Sequence, residues 1–127
     1  MLGIACTPRR KQILKFARPF ETDKMVDLQV EHHFTDGMYA RKMIIPKNAL
    51  VPTHRHVYDH FSVLAKGKVL VTVDDTSQIY TAPAIIAIKK HQSHTIRTFE
   101  ESVWICMHAT TETDIGKIDH AISMETV

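Results

Sequence analysis

The chain has 127 residues, of which 44% are hydrophobic, 16 are lysine or arginine and 14 are aspartate or glutamate. A chain of this length can bury roughly two-thirds of the surface that its unfolded form exposes, so we expect one compact core. The net charge of +2 gives no general reason to expect a polyanionic partner, and we therefore expect no nucleic-acid binding.

The first twenty residues contain no long apolar segment. Their longest uncharged run, residues 1–8, is too short for the apolar region of a signal peptide and precedes the basic residues instead of following them. No stretch of the chain approaches the length and apolarity of a membrane span. Cys6 and Cys106 lack a partner motif and do not indicate a disulfide framework. These features predict a cytoplasmic protein without a membrane partner.

Alternation of apolar and polar residues dominates the chain and predicts β-strands. Val26, Leu28 and Val30 alternate with polar residues, and β-branched residues crowd the segment 69–73. Turn residues separate the predicted strands. They occur at 36–37, 46–48, 66–67, 74–77 and 100–102. Short strands at such intervals, with no long helical pattern among them, predict an all-β antiparallel sandwich or barrel.

The two ends of the chain have a different pattern. The segment 11–20 fits either a short helical turn or an edge strand, and the segment 113–121 predicts a terminal helix that begins at Thr113 or Asp114. We expect a single domain. Its parts are an N-terminal arm over 1–23, a barrel core over about 24–110 and a C-terminal tail over 111–127.

Four of the nine histidines have positions that suit one metal ion. His54 and His56 are two residues apart on a predicted strand, so both side chains project from the same face and form a chelating pair. On a straight strand His60 would lie roughly 13 Å from His56, too far for a shared ion. The chain must therefore bend at 57–59. His94 opens a later strand and is the best candidate for a ligand from a distant segment.

The remaining histidines lack this spacing, and we assign most of them to surface or strand positions. These are His32, His33, His91 and His120.

The segment 38–108 resembles the cupins, and more narrowly the small one-domain cupins with a four-histidine metal site. The first cupin motif places Gly, His-x-His, Glu and Gly at fixed intervals. His54, His56 and Gly67 match it in type and spacing, and His60 takes the glutamate position. Asn48 stands at the first glycine, where asparagine is tolerated because it readily adopts positive φ.

The second cupin motif is matched only at its histidine, which falls on His94. Pro83, Lys89, His91 and Thr98 replace its Gly, Pro, Gly and Asn. The resemblance implies a double-stranded β-helix, or jelly-roll barrel, with a metal near one end. Four neutral imidazoles without a carboxylate favour one divalent transition metal ion over Ca or Mg. The ion would be Fe, Mn, Ni, Co, Cu or Zn.

The segment 103–108 supplies candidate pocket residues. Trp104, Cys106 and His108 share one face, and the resemblance suggests that this strand lines the mouth of the barrel. The alternative places Val103, Ile105 and Met107 inside the barrel and His108 on the surface. The sequence alone does not separate these two arrangements.

An earlier strand places Arg41 on its more apolar face, together with Tyr39, Met43 and Ile45. An inward Arg41 near a dication would favour an anionic substrate, such as a carboxylate or keto acid. A solvent-exposed Arg41 is the alternative, and the sequence slightly favours it.

Three functions fit these residues, and whether the chain is an enzyme stays open. The first is a metal-dependent oxygenase, a dioxygenase-type oxidoreductase of a small organic molecule. The second is a non-redox isomerase or lyase in which His108 or Tyr58 moves a proton. The third is a small-molecule binding or sensing module without turnover. We also expect a homodimer, because small cupins commonly pair through N-terminal strands and the segment 26–30 would present an open apolar edge.

Overall fold

The structure is a computed structural model that describes residues 12–16, 23–26, 28–52 and 55–122. The described residues form strands and one short helix. These are β1 (Gln12–Phe16), β2 (Asp23–Val26), β3 (Gln29–Thr35), β4 (Met38–Ile45), β5 (Ala49–Pro52), β6 (His60–Lys66), β7 (Lys68–Val73), β8 (Thr76–Thr81), β9 (Ala84–Ile88), β10 (His94–Thr98), β11 (Ser102–Ala109) and α1 (Ile118–Ile122). No helix within these ranges is long and apolar enough to span a membrane.

The strands form two antiparallel sheets. One sheet has six strands in the order β2-β1-β5-β10-β7-β8, and the other has five in the order β3-β4-β11-β6-β9. Each sheet combines early and late strands. For example, β5 pairs with β10, and β4 pairs with β11. This arrangement is a double-stranded β-helix, so the predicted all-β jelly-roll barrel is confirmed.

The core lies between the inner faces of the two sheets. In β4 and β11 every second residue is buried, which is the pattern of a strand with one face on a core. The buried residues of β11 include Trp104, Cys106 and His108, whereas Val103 and the other alternate residues are half-buried on the opposite face. The arrangement with Trp104, Cys106 and His108 inside is therefore confirmed, and the alternative is wrong.

Residues at the predicted turns adopt the backbone conformations that their types permit. Asn48 has a φ of 61°, as expected for asparagine at the glycine position of the first motif. Gly67 has a φ of 97°, and a Cβ there would lie 2.6 Å from the carbonyl oxygen of Glu101. A side chain at Gly67 would therefore meet both backbone strain and a steric clash.

The segment 26–30 is not one strand, contrary to the sequence prediction. β2 ends at Val26 and belongs to the six-stranded sheet, whereas β3 begins at Gln29 and forms an edge of the five-stranded sheet. Leu28 lies between them and is buried in the core. The chain therefore passes from one sheet to the other within this segment, and Leu28 belongs to the core cluster.

The terminal predictions are corrected in detail. Residues 12–16 form a strand, but it lies inside the sheet between β2 and β5 instead of at an edge. The C-terminal helix begins at Ile118, later than Thr113 or Asp114. The Asp114 carboxylate accepts a hydrogen bond from the backbone N–H of Gly116 at 2.8 Å, which stabilises a turn there. Gly116 also disfavours helix at this position.

Candidate metal centre

Three histidines meet at one end of the barrel. His56, His60 and His108 are all buried, and each offers a ring nitrogen that lies within 4.8 Å of those of the other two. The ring centroids of His60 and His108 are 4.2 Å apart, and His56 lies 4.8 Å from each. This spacing allows the three rings to bind a single metal ion.

The strand pairing explains why His60 and His108 are neighbours. β6 and β11 are antiparallel partners in which Phe61 pairs with Met107. The next residues in the same register are therefore His60 and His108, whose side chains both point inward.

His56 reaches the cluster from the crossing between β5 and β6. The chain bends at Val57 and Tyr58 before β6 begins at His60, so the predicted bend at 57–59 is confirmed.

The carbonyl oxygen of His56 accepts a hydrogen bond from the N–H of His91 at 2.9 Å. Its Nδ1 lies 3.0 Å from the carbonyl oxygen of Ile122. A carbonyl only accepts, so Nδ1 carries the proton and Nε2 carries the lone pair that a metal requires.

His94 lies next to this cluster. Its ring is farther from the rings of His56 and His60 than those two rings are from each other. It is the first residue of β10, on the facing sheet, and is buried. Its ring centroid is 6.4 Å from those of His56 and His60. Its role as a ligand stays a prediction. His54 lies outside the described residues, and its predicted role is likewise untested.

Burial keeps the imidazoles of His60, His94 and His108 neutral. Loss of solvent, reinforced by the neighbouring histidines, lowers the pKa of His60 to about 3. The same causes lower the pKa of His94 to about 3 and that of His108 well below its ordinary value. Neutral imidazole is the form that binds metal.

His60 gives the clearest indication that the site fits a metal. Both of its ring nitrogens are buried and lack a hydrogen-bond partner among the described residues. An unpartnered buried polar atom is costly, and a metal ligand bond would remove that cost. The cluster contains no carboxylate, so its donors fit a transition metal better than Ca or Mg.

Trp104 and Cys106 lie farther inside on the same strand face as His108. The indole N–H of Trp104 points to the sulfur of Cys106 at 3.2 Å, and the Ser62 hydroxyl lies 3.6 Å from that sulfur. Burial raises the pKa of Cys106, so its thiol stays protonated at neutral pH. Tyr58, by contrast, is 59% exposed at the bend and lies outside the buried cluster.

Arg41 is buried on the inner face of β4, and the prediction of a solvent-exposed side chain is wrong. Its Nε donates a hydrogen bond to the Tyr39 hydroxyl at 2.7 Å, and its guanidinium forms an ion pair with Asp119 of α1. The Tyr39 hydroxyl also lies 2.7 Å from Nδ1 of His32. The charge of Arg41 is therefore matched inside the protein.

Sequence reasoning missed two members of this polar group. His32 lies on strand β3, which agrees with the prediction of a surface or strand position, but its half-buried place beside Tyr39 was not foreseen; burial and nearby Arg41 lower its pKa to about 2. Its alternation with Val30 and Phe34 was the available signal. No local signal identifies Asp119, because it meets Arg41 across 78 residues of chain.

A surface depression of about 240 Å³ is lined in part by His60. Its other lining residues are Asp59, Phe61, Ala87 and Lys89. Asp59 and Lys89 form an ion pair at 3.8 Å across it. The depression lies on the β6–β9 side of the barrel, whereas α1 contacts the site through His56 and Arg41.

Comparison with solved structures identifies the fold as that of the cupins. KdgF from Halomonas sp. superposes with a TM-score of 0.60 at 15% sequence identity, covering 78% of this chain and 95% of that one. A cupin superfamily protein from Desulfitobacterium hafniense gives 0.60 at 12% identity, covering 65% and 77%. An RmlC-like cupin from Methanocaldococcus jannaschii gives 0.57 at 16% identity, covering 85% and 95%. No protein-family model and no curated protein sequence matches the chain.

Proposed function

We propose that this protein is a metal-dependent oxygenase of a small organic acid. His56, His60 and His108 would hold the metal, and His94 or His54 would supply a fourth ligand. The observation that carries the proposal is the buried cluster of His56, His60 and His108. The ion would be Fe, Mn, Ni, Co, Cu or Zn, and a redox-active member of this group would supply a centre for reaction of the substrate with dioxygen.

The surrounding residues would shield the reacting molecule from water. Trp104 is fully buried on the same strand face as His108, and Ile118 and Ile122 of α1 are fully buried against Tyr39. An apolar enclosure of this kind strengthens electrostatic contacts inside a site because it excludes solvent. Arg41 adds a cation to the same inner face.

A non-redox isomerase or lyase is the second candidate function. It needs a side chain that moves a proton, and the sequence offered His108 and Tyr58. His108 is a member of the histidine cluster that would hold the metal, and Tyr58 is exposed. These placements favour the oxygenase over the non-redox enzyme.

The test begins with elemental analysis of protein purified without added metal, followed by oxygen-uptake assays with a panel of small carboxylic acids. We expect stoichiometric Fe or Mn and substrate-dependent uptake in the wild type. Both should be lost in His60→Ala/His108→Ala and kept in His33→Ala, a control at an exposed position on β3. Bound Zn with turnover in the absence of oxygen would favour the non-redox enzyme, and bound metal without any turnover would indicate a binding module.

We further propose that the protein acts in the cytoplasm as a homodimer. Cys106 is a buried free thiol, which suits a reducing compartment. The outer face of the five-stranded sheet exposes Phe61, Ile85 and Met38, which are 56%, 71% and 48% accessible. A second copy could cover this apolar surface.

A further inference from the structure

We propose that Arg41 binds the carboxylate of the substrate, and that α1 is a lid whose Asp119 occupies this carboxylate site until the substrate displaces it. This inference rests on the proposed function, because it names the substrate class of the same site and the element that controls access to it.

The first observation is that α1 contacts the polar residues of the site as well as its apolar surroundings. The carbonyl oxygen of Ile122 accepts hydrogen bonds from Nδ1 of His56 at 3.0 Å and from the N–H of Val57 at 3.1 Å. One turn earlier, Asp119 forms the ion pair with Arg41. The five-residue helix α1 therefore contacts both the histidine cluster and Arg41.

The second observation concerns the position of Arg41 relative to the cluster. Arg41 pairs with Cys106 across β4 and β11, and Tyr39 pairs with His108. All four side chains are on the inner face. Arg41 and His108 therefore lie in adjacent rows, which are roughly 7 Å apart for residues two positions along a strand. In the proposed complex the substrate carboxylate would lie on Arg41 and the other end of the molecule at the histidine cluster.

The third observation is the chemistry of the Arg41–Asp119 pair. A guanidinium presents a planar set of donors that matches a carboxylate. Asp119 supplies that carboxylate from within the chain. Burial lowers the pKa of Arg41 to about 10, so the side chain is still cationic at neutral pH and needs an anion. A substrate carboxylate that replaced Asp119 would balance the charge of Arg41. A neutral molecule in the same place would leave that charge unbalanced.

The fourth observation is that α1 depends on its contacts with the barrel. A helix of five residues is too short to be stable alone. Residues 113–117, which precede it, are exposed and contain no strand or helix. Its docking therefore relies on Ile118, Ile122 and the polar contacts named above, and loss of the ion pair should release it.

The experiment measures binding of pyruvate and of its neutral amide, pyruvamide, by isothermal titration calorimetry to metal-free and zinc-loaded protein. Hydrogen exchange of the Val57 amide, which donates to Ile122, reports closure of the lid. We expect pyruvate to bind, pyruvamide to bind much more weakly, and pyruvate to speed exchange at Val57. Asp119→Asn should tighten pyruvate binding by about tenfold, because the Arg41–Asp119 pair holds the lid closed in the wild type.

Matched variants make the outcome specific. Asp75→Asn changes an exposed acid in the turn between β7 and β8 and should leave pyruvate binding unchanged. Arg41→Gln/Asp119→Asn removes both charges together, so it avoids an unpaired buried ion, and it should abolish the preference for pyruvate over pyruvamide.

The inference is overturned if pyruvate and pyruvamide bind equally, or if Asp119→Asn has no effect on pyruvate binding. It is also overturned if pyruvate binds while exchange at Val57 is unchanged, which would indicate entry through the depression at His60. Zinc content is measured separately. If the wild type binds pyruvate in the absence of metal but does not bind zinc, the proposed function is contradicted and this inference is supported.

Discussion

Nδ1 of His56 donates a hydrogen bond to the backbone carbonyl of Ile122, although the two residues are 66 positions apart. This bond fixes the tautomer of the His56 imidazole. It also attaches the C-terminal helix α1 to the histidine cluster. Contacts of this kind commonly orient metal-binding histidines. The candidate metal centre and the C-terminal helix are therefore linked through one backbone oxygen.

We predict that His60→Ala/His108→Ala loses metal while the barrel stays folded. The strand core contains Leu64, Ile96 and Trp104, which pack without help from the histidines. The fold therefore does not depend on an ion as a zinc finger does. Metal content by elemental analysis and far-UV circular dichroism check this, with His33→Ala as the control. Full occupancy in the double variant would exclude His60 and His108 as ligands.

The metal-free protein should lose stability as the pH falls below about 6.5. The folded-state pKa values of His60 and His94 are about 3, below the ordinary value of 6.5. Between these values the unfolded chain binds protons that the folded chain refuses, so the free energy of unfolding falls with the pH. Each such histidine contributes roughly 1 kcal/mol per pH unit in that window.

Urea unfolding of chelator-treated protein at several pH values measures this effect. His60→Gln removes one titrating ring and should make the free energy of unfolding less dependent on pH. A free energy of unfolding that is constant from pH 7 to pH 5 would contradict the burial of these rings.

Gly67→Ala should destabilise the protein more than Gly37→Ala. Both glycines have positive φ, at 97° and 78°, so each alanine incurs backbone strain of about 1–2 kcal/mol. Only at Gly67 does the added Cβ also clash, with the side chain of Ser102 and the carbonyl of Glu101; at Gly37 nothing lies within 4 Å. Urea unfolding measures the difference. Equal losses in the two variants would show that the clash is relieved by local movement.

We predict a homodimer at micromolar concentration, held by the apolar outer face of the five-stranded sheet. Phe61→Ser/Ile85→Ser replaces two exposed apolar side chains on neighbouring strands and should shift the protein to monomer. Ile79→Ser is a matched control on β8 of the other sheet, where Ile79 is 53% exposed. Light scattering gives the mass. A monomer near 14.5 kDa for the wild type would contradict the prediction.

Local patterns in the sequence determined much of the barrel and part of the site. The alternation of apolar and polar residues predicted the strands. The residue types at Asn48 and Gly67 predicted turns, and both residues have positive φ. The spacing of His56 and His60 required a bend at 57–59, which the structure contains. These features depend on residues that are close in the chain, so the chain's own covalent geometry limits them.

Only the tertiary structure decided which strand faces are buried and which distant residues meet. Period two gives β11 two faces, and pairing with β4 and β6 turned His108 and Trp104 inward. The same packing buried Arg41 and brought Asp119 to it from the C-terminal helix. An arginine excluded from water needs an anion, and that anion can come from any part of the chain that the fold brings near.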